Sequence, residues 1–215
     1  MKKNEGDEII KIVLIGEANV GKTSIICQFM EKVFQDDVQS TVGGAYNCKT
    51  MKCDNKRLIK LEIWDTAGQE HYRCVTKMFY KNADVAMLIY DITNYNSFEE
   101  LKNYWIDQVI ETSPKNVMLV IVANKSDLFE TEQVNEDEAR KFAKNKNAAF
   151  FVVSAKDNNS VNDLFKAVVK KYSGANEVYL MEEGNNSNNF KKSGKEVVKV
   201  TKDDLKTKKK KSRFC

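Results

Sequence analysis

The chain has 215 residues, of which 42% are hydrophobic and 31% are charged, with a formal net charge of +4. It is long enough for one domain with a tail, and it is too apolar to be disordered throughout. Its longest apolar stretch, Val117 to Ala123, is far shorter than the roughly 20 residues of a membrane-spanning helix, so we expect no segment to cross a bilayer.

The start of the chain and its cysteines indicate the cellular setting. The first eight residues are mostly charged or polar and no long apolar run follows them, so we expect no secretory signal and a cytoplasmic location. The five cysteines are scattered, with no Cys-x-x-Cys pair, and there is a single histidine. We therefore expect neither a disulfide framework nor a structural zinc site.

Positive charge is concentrated at the end of the chain. The residues after Tyr172 carry eleven basic and six acidic side chains, which leaves residues 1–172 close to neutral. A near-neutral folded part argues against a face that binds nucleic acid. The low-complexity segment 183–189 and the basic run 206–213 are typical of a flexible tail. We predict a folded domain over residues 1–172 and a flexible tail with a polybasic C terminus over 173–215.

Short apolar runs alternate with amphipathic stretches, which predicts an α/β fold with a six-stranded, mostly parallel sheet flanked by helices on both faces. The turn signal Asp54-Asn55 predicts one antiparallel hairpin. Ser97 is the predicted N-cap of its helix, with Glu100 as its capping-box partner. The predicted strands are Ile9–Ile15, Tyr46–Cys53, Leu58–Trp64, Val85–Tyr90, Val117–Val122 and Phe150–Val153, and the predicted helices start at Gly21 or cover Ser97–Ile110, Asn135–Lys146 and Ser160–Tyr172.

The first predicted strand runs into Gly16-Glu-Ala-Asn-Val-Gly-Lys-Thr23, which fits the pattern G-x-x-x-x-G-K-[ST] between a strand and a helix. Its glycines let backbone N–H groups turn towards phosphate oxygens at the positive end of the helix. Lys22 would reach the β and γ phosphates, and the Thr23 hydroxyl would ligate Mg²⁺. An ordinary glycine turn does not explain a lysine where the helix dipole disfavours cations, whereas a bound anion does. The loop residues assigned to the nucleotide are Ala18, Asn19, Val20, Gly21, Lys22, Thr23 and Ser24.

Two more loops follow predicted strands, Asn124-Lys-Ser-Asp127 and Ser154-Ala-Lys156. Asp127 can accept hydrogen bonds from N1–H and the exocyclic amine of guanine, whereas adenine would leave this carboxylate unpaired. The Lys125 stem can lie on the purine face, and the Ala155 N–H can donate to guanine O6. Taken singly, the motif Asn-Lys-x-Asp also fits a plain loop, and an isolated phenylalanine such as Phe34 is usually a core residue. Their order and spacing favour a guanine site made of Phe34, Asn124, Lys125, Asp127, Ser154, Ala155 and Lys156.

Together with Gln39-Ser-Thr41 and Trp64-Asp-Thr-Ala-Gly-Gln-Glu70, these motifs resemble those of the small GTPases of the Ras superfamily, over residues 9–172. The resemblance implies a P-loop NTPase of the small G domain type that binds GTP or GDP with Mg²⁺ and hydrolyses GTP to GDP and phosphate. It implies that Thr41 and Asp65 complete the Mg²⁺ site, and that the Gly68 N–H contacts the γ phosphate. Gln69 would orient the attacking water. The implied catalytic residues are Gln69, Lys22 and Thr41, and the implied metal residues are Thr23, Thr41 and Asp65.

Within the superfamily, the segments Lys60–Trp64, Phe79–Ala83 and Leu88–Thr93 resemble those of the Rab branch, and Val42–Tyr46 is most similar to its early-endosomal subgroup. This resemblance implies a GTP/GDP switch in vesicular and endosomal membrane traffic. Its implied partners are effectors, an exchange factor, a GTPase-activating protein and an escort or dissociation-inhibitor protein. We expect a monomer that meets its effectors through Thr41–Tyr46 and Gly68–Tyr80.

Hydrolysis is expected to be slow without a partner. No arginine precedes Arg57, so the segment before Thr41 supplies no stabilising arginine. We predict an intrinsic turnover of about 10⁻⁴ to 10⁻³ s⁻¹ that a partner's arginine raises about 10³- to 10⁵-fold. Ala18, where many relatives have glycine, adds a methyl group near Gln69 and would slow the reaction. The alternatives are a GTP-binding scaffold that barely hydrolyses, a small GTPase outside the Rab branch, and a P-loop ATPase or kinase, which Asp127 disfavours.

The chain ends in Cys215, directly behind the basic run. The resemblance suggests prenylation of Cys215, although the ending lacks both the C-a-a-X form and the paired cysteines common among Rab proteins. One lipid chain would hold weakly, and the basic run would add about 1 kcal/mol per residue against anionic lipid. We therefore expect reversible attachment to the cytosolic face of intracellular membranes. The plain alternative is a solubilising tail.

Overall fold

The fold of the chain was analysed in a computed structural model, which describes residues 8–36, 41, 44–54, 57–66 and 78–181, and the backbone of 196–198. Its strands are β1 (Glu8–Ile15), β2 (Gly44–Cys53), β3 (Leu58–Thr66), β4 (Val85–Asp91), β5 (Met118–Asn124), β6 (Ala149–Val152), β7 (Val178–Leu180) and β8 (Glu196–Val198). Its helices are α1 (Lys22–Glu31), α2 (Tyr95–Glu100), α3 (Ile106–Thr112), α4 (Glu136–Asn145) and α5 (Asn158–Ser173). A π-helical turn (Leu101–Trp105) joins α2 to α3, and a 3₁₀ segment (Ser126–Thr131) follows β5.

The strands form one sheet in the order β6-β5-β4-β1-β3-β2-β7, with β8 also paired to β2. From β6 to β3 all neighbouring strands are parallel, whereas β2 runs antiparallel to β3, which confirms the predicted hairpin. All six predicted strands are present. The sheet has two more strands than predicted, because three-residue strands carry too short a pattern to be recognised. One of them, β7, lies beyond Tyr172, where the domain was predicted to end, and the division into domain and tail stays a prediction.

Helices cover both faces of the sheet, as predicted, because the side chains of each strand alternate between the two faces. Along β1, Ile12 and Leu14 belong to one hydrophobic cluster and Val13 and Ile15 to the other. The first cluster packs under α1 and α5, and the second under the helical segments 95–112 and 136–145. The central strand β4 is buried at every position, as its continuous apolar pattern predicts.

The predicted N-cap at Ser97 is wrong. The helix begins at Tyr95, and its N-cap is Asn94, which has an extended backbone and whose side chain accepts a hydrogen bond from the Ser97 N–H. Asn is as good a cap as Ser, and Asn94 stands where the chain leaves β4. Ser97 is instead buried, and its hydroxyl donates to the Asn94 carbonyl at 2.7 Å.

The last two predicted helices are confirmed with small changes at their ends. Asn135 caps α4 by accepting from the Glu138 N–H, so the helix starts one residue later than its pattern. Asp157 caps α5 by accepting from the N–H groups of Asn159 and Ser160. The last helix therefore starts two residues before Ser160, because a polar cap and first turn carry no apolar periodicity.

Candidate functional site

A cleft of about 410 Å³ opens at the edge of the sheet where the parallel strands end. Ligands of parallel α/β sheets bind at this edge, since the loops after the strands gather there. The cleft takes its walls from the loops after β1, β5 and β6, the start of α1 and the segment after α1. Its lining residues are Ala18, Asn19, Gly21, Lys22, Thr23, Ser24, Phe34, Gln35, Asp36, Thr41, Thr66, Asn124, Lys125, Asp127, Leu128, Ala155 and Lys156.

Two glycines of the loop between β1 and α1 are required by its shape. Gly16 and Gly21 have positive φ angles of 146° and 93°. A Cβ on Gly16 would lie 2.2 Å from the Ile89 carbonyl oxygen, and a Cβ on Gly21 would lie 2.3 Å from Asn124 Nδ2. The loop is therefore packed directly against β4 and against the loop after β5.

Lys22 stands at the start of α1 with only 6% of its surface exposed. Its Nζ donates hydrogen bonds to the carbonyl oxygens of Gly16 at 2.9 Å and Glu17 at 2.7 Å. Burial lowers the pKa of Lys22 to about 8, although the nearby carboxylates of Asp65 and Glu17 act in the opposite direction. The nearby carboxylates thus do not fully offset the cost of burying this positive charge, and an anionic ligand would stabilise it.

Three oxygen-bearing side chains meet beside Lys22. The Thr23 hydroxyl lies 3.0 Å from the Thr41 hydroxyl and donates to Asp65 Oδ2 at 2.8 Å. The Thr41 hydroxyl also donates to Asp65 Oδ2, at 3.2 Å. Burial raises the pKa of Asp65 against the effect of these bonds. Its other oxygen, Oδ1, is buried and has no hydrogen-bond partner among the described residues.

The other end of the cleft is formed by the loops after β5 and β6. Ser154 Oγ donates to Asp127 Oδ1 at 2.6 Å, and Lys156 Nζ lies 3.2 Å from Asp127 Oδ2. Burial raises the pKa of Asp127, but the hydrogen bonds from Ser154 and Lys156 lower it by more, so it stays below its usual value. Asp127 is therefore held as a carboxylate at the cleft wall.

Asn124 is fully buried and joins the two ends of the site. Its Nδ2 donates to the Val20 carbonyl at 2.7 Å, and its Oδ1 accepts from the Ala155 N–H at 3.2 Å. This side chain fixes the loop between β1 and α1 (residues 16–23, the phosphate loop) and the loop after β6 to the end of β5. A single buried amide therefore links the two ends of the cleft.

Lys125 extends along the cleft from a backbone in the left-handed region, with φ of 66°. Its Nζ lies 2.6 Å from Asp91 Oδ2, and Asp91 is buried at the end of β4. Lys156 and Phe34 also line the cleft, where Lys156 Nζ lies 5.4 Å from the centre of the Phe34 ring. Two lysine stems and one aromatic ring therefore surround the space next to Asp127.

Most of the predicted nucleotide residues within the described part of the chain line this one cleft. Val20 is an exception, because its side chain lies in the core and only its carbonyl reaches the site through Asn124. Ser154 is buried and acts on the site through Asp127. Gly68, Gln69 and Cys215 lie outside the described residues, so their roles stay predictions.

Sequence reasoning missed several residues at the site. Asp91 is the last residue of β4 and pairs with Lys125, and its position at a strand end was the signal that could have found it. Glu17, inside the phosphate loop, was not assigned a role. The cleft is also lined by four residues to which the sequence patterns assigned no role: Gln35, Asp36, Thr66 and Leu128.

The fold and cleft agree with what comparison to known proteins shows. Residues 11–174 match the model of the Ras family. The chain is 40% identical to the GTP-binding protein ypt5 of Schizosaccharomyces pombe over 162 residues, which cover 75% of this chain and 76% of that protein. It is 34% identical to the Ras-related protein RABA4b of Arabidopsis thaliana over 193 residues, 89% of this chain and 85% of that protein. It is 36% identical to the GTP-binding protein ypt3 of S. pombe over 168 residues, 78% of each chain.

The chain therefore belongs to the Ras family. Within that family its similarity to Rab and Ypt proteins makes it a Rab-type small GTPase, a GTP-hydrolysing enzyme of vesicle traffic. Proteins of this class interact with effectors, exchange factors and activating proteins, and they associate with intracellular membranes. In the described part of the chain, no helix has both the length and the hydrophobicity to span a membrane.

Proposed function

We propose that the chain binds GTP and GDP with Mg²⁺ in this cleft and hydrolyses GTP there, as a switch of vesicular and endosomal traffic. The observation that carries the proposal is that one cleft has a buried lysine ammonium at one end and a clamped carboxylate at the other. The first suits a polyphosphate and the second suits the N1–H and amine edge of guanine.

The residues next to Lys22 fit a magnesium ion. Mg²⁺ prefers oxygen ligands, and Thr23, Thr41 and Asp65 offer two hydroxyls and a carboxylate within hydrogen-bond distance of one another. The buried Oδ1 of Asp65, which has no hydrogen-bond partner in the part of the chain that the structure describes, supports the fit, because a cation would satisfy it. Bound between the phosphates and these residues, the ion would neutralise charge that develops on the phosphate oxygens.

The protein's own residues position the nucleotide for hydrolysis. Lys22 would give its charge to the β and γ phosphates, and the N–H groups from Ala18 to Ser24 would surround their oxygens. Asp127, fixed by Ser154 and Lys156, would select guanine, with Lys125 and Phe34 on either side of the nucleotide. Gln69 would orient the water, and Gly68 and Thr41 would sense the γ phosphate.

A single-turnover assay tests the catalytic part of this proposal. The purified full chain loaded with GTP and Mg²⁺ should release phosphate at about 10⁻⁴ to 10⁻³ s⁻¹. Gln69→Leu should lower that rate at least about tenfold and leave GDP affinity unchanged. A rate that Gln69→Leu does not change would show that Gln69 does not orient the attacking water, and its proposed catalytic role would be wrong.

We also propose that the tail attaches the protein reversibly to membranes through a prenylated Cys215 and the basic run 206–213. The charge of the tail supports this, since basic residues near an anionic surface add attraction to a single weak lipid anchor. Mass spectrometry of the C-terminal peptide from cells should show a prenyl group on Cys215. An unmodified cysteine in the membrane-bound fraction would contradict it.

A further inference from the structure

Glu17, the second residue of the phosphate loop, is bonded through both its backbone and its side chain. Its carbonyl oxygen accepts from Lys22 Nζ at 2.7 Å, next to the 2.9 Å bond accepted by the Gly16 carbonyl. Its side-chain Oε1 accepts from the indole N–H of Trp105 at 3.0 Å. The start of the phosphate loop is thus tied to a helical segment that lies 88 residues further along the chain.

Trp105 is held firmly where it makes this bond. Its side chain is 1% exposed and packs in the hydrophobic cluster under the helices 95–112 and 136–145. The Tyr104 ring meets it edge-on, with the ring centres 5.0 Å apart. A buried indole N–H can only donate, and a bond to a carboxylate is about twice as strong as one between neutral groups. Trp105 and Glu17 therefore both lose a strong hydrogen bond if either side chain is changed.

The helix around Trp105 has an irregular geometry. Leu101 to Trp105 form a π-helical turn, which ends where the Ile106 N–H donates to the Leu101 carbonyl. Such turns occur mostly as single insertions in α-helices and are frequent at functional sites. Trp105 is the last residue of this turn, and its indole N–H donates to Glu17 of the phosphate loop while its ring packs in the cluster.

We infer that Trp105 is a positioning residue for the phosphate loop: its indole N–H holds Glu17, so that the carbonyl groups of Gly16 and Glu17 anchor Lys22 in the cleft. This inference rests on the proposed function, because it predicts how firmly the loop holds a nucleoside diphosphate. Without the bond, the loop would lose one of its fixed points and release GDP faster.

The direct test uses Trp105→Phe, which keeps a buried aromatic ring and removes the donor. The rate of GDP release from the full chain is measured with a fluorescent GDP in the presence of Mg²⁺. We expect about tenfold faster release, in keeping with the loss of one hydrogen bond to a charged group. The rate of GTP hydrolysis on the enzyme in single turnover should change much less, because the variant leaves Gln69, which would orient the attacking water, unaltered.

The chain provides a matched control at its only other tryptophan, Trp64. The indole nitrogen of Trp64 is buried and has no hydrogen-bond partner among the described residues. Trp64→Phe therefore makes the same chemical change without breaking a hydrogen bond in the described part of the chain, and it should leave GDP release unchanged. It also leaves Trp105 as the one tryptophan of the chain, and the emission of Trp105 should shift when EDTA strips the nucleotide.

A double-mutant cycle separates the bond from general packing. Glu17→Ala should speed GDP release as Trp105→Phe does, and the two changes together should add little to either one. Glu17→Gln, which keeps an acceptor oxygen, should recover part of the effect. If Trp105→Phe does not fold, the comparison of Glu17→Ala with Glu17→Gln and the emission of Trp105 still test the bond.

The outcomes are distinct. Faster release in Trp105→Phe that does not add to that of Glu17→Ala supports the inference. Release equal to that of Trp64→Phe, full additivity, or an emission of Trp105 that nucleotide does not change would overturn it. If the unaltered chain binds no GDP at all, the proposed function itself fails, which is a different result.

Discussion

At the scale of the residue, the charge state of Lys22 is coupled to ligand binding. Burial lowers its pKa to about 8, so between pH 8 and its ordinary value of 10.5 the folded, nucleotide-free protein holds fewer protons at this group than the unfolded chain does. The stability of the nucleotide-free protein should therefore rise with pH over that range. A bound polyphosphate has the opposite effect on the group, since it favours the ammonium form.

The affinity for GDP should consequently fall by about tenfold between pH 7 and pH 9, because binding must reprotonate Lys22. Calorimetry in two buffers of different ionisation heat should show proton uptake on binding at pH 8.5. Lys22→Arg, which stays charged, should bind more weakly but with a nearly flat pH profile. Equal affinity at pH 7 and pH 9 in the unaltered chain would show that Lys22 is already charged without ligand.

A second residue-scale prediction concerns Asp91, which holds Lys125 Nζ at 2.6 Å with Oδ2, while its Oδ1 accepts from the N–H and hydroxyl of Thr93. Asp91→Asn keeps an acceptor for Thr93 and removes the charge that directs Lys125 along the cleft. GDP should leave about tenfold faster, measured by fluorescence. Thr93→Val, which changes the other partner of the same carboxylate, should release GDP at the original rate, and equal effects of both variants would contradict this role.

At the scale of the element, Asn94 is the N-cap of α2, which begins at Tyr95. Asn94→Ala should lower the free energy of unfolding by about 1 kcal/mol, because the Ser97 N–H loses its side-chain acceptor and keeps only the Asn94 carbonyl. Glu100→Ala, at the position first expected to complete a capping box, should change it by less than about 0.5 kcal/mol. Urea unfolding of both variants measures the difference, and a larger loss for Glu100→Ala would restore Ser97 as the cap.

The short strand β7 is the second element to test. Val178 and Leu180 pack against the core beneath α1 and α5, and the strand pairs with Met51 to Cys53 of β2. The nearby Asp54 accepts from the Asn176 N–H at 2.9 Å. These contacts indicate that the segment after Tyr172 contributes to the stability of the domain.

A chain ending at residue 172 should therefore melt several degrees lower than one ending at residue 181, whereas the latter should melt like the full chain. Thermal unfolding with GDP and Mg²⁺ present compares the three lengths. Equal melting temperatures for the two shorter chains would put the end of the domain back at Tyr172.

The sequence predicted these elements unequally well, for physical reasons. Buried strands such as β4 and the loop Gly16 to Thr23 carry dense local signals, so their type and place were predictable. Asn94 and Ser97 are both good cap residues and lie three positions apart, so the local pattern alone did not distinguish them. The strand β7 depends on contacts with β2, which is distant in sequence, and it was not predictable. At the site, the ion pair of Asp91 and Lys125 could not be predicted for the same reason. The Asn-Lys-x-Asp motif identifies Lys125 but not the carboxylate of Asp91 that orients it.

At the scale of the whole molecule, the parallel sheet brings distant motifs together at one edge. Asn124, at the end of β5, joins the phosphate loop to the loop after β6, so one buried amide links the two ends of the cleft. Thr41 and Asp65, from the segment before β2 and the end of β3, bring the oxygen atoms that we propose would hold Mg²⁺. The fold therefore holds the buried ammonium group of Lys22 and the fixed carboxylate of Asp127 in one cleft.

Nucleotide selectivity tests this account most directly. The full chain is loaded with fluorescent GDP and challenged with unlabelled GDP, GTP, ADP and ATP at equal concentrations with Mg²⁺. GDP and GTP should displace the label, whereas ADP and ATP should require at least about 1000-fold higher concentrations, because adenine leaves the Asp127 carboxylate without donors. Displacement by ADP or ATP at the same concentrations as GDP would contradict the assignment of the cleft to a guanine nucleotide.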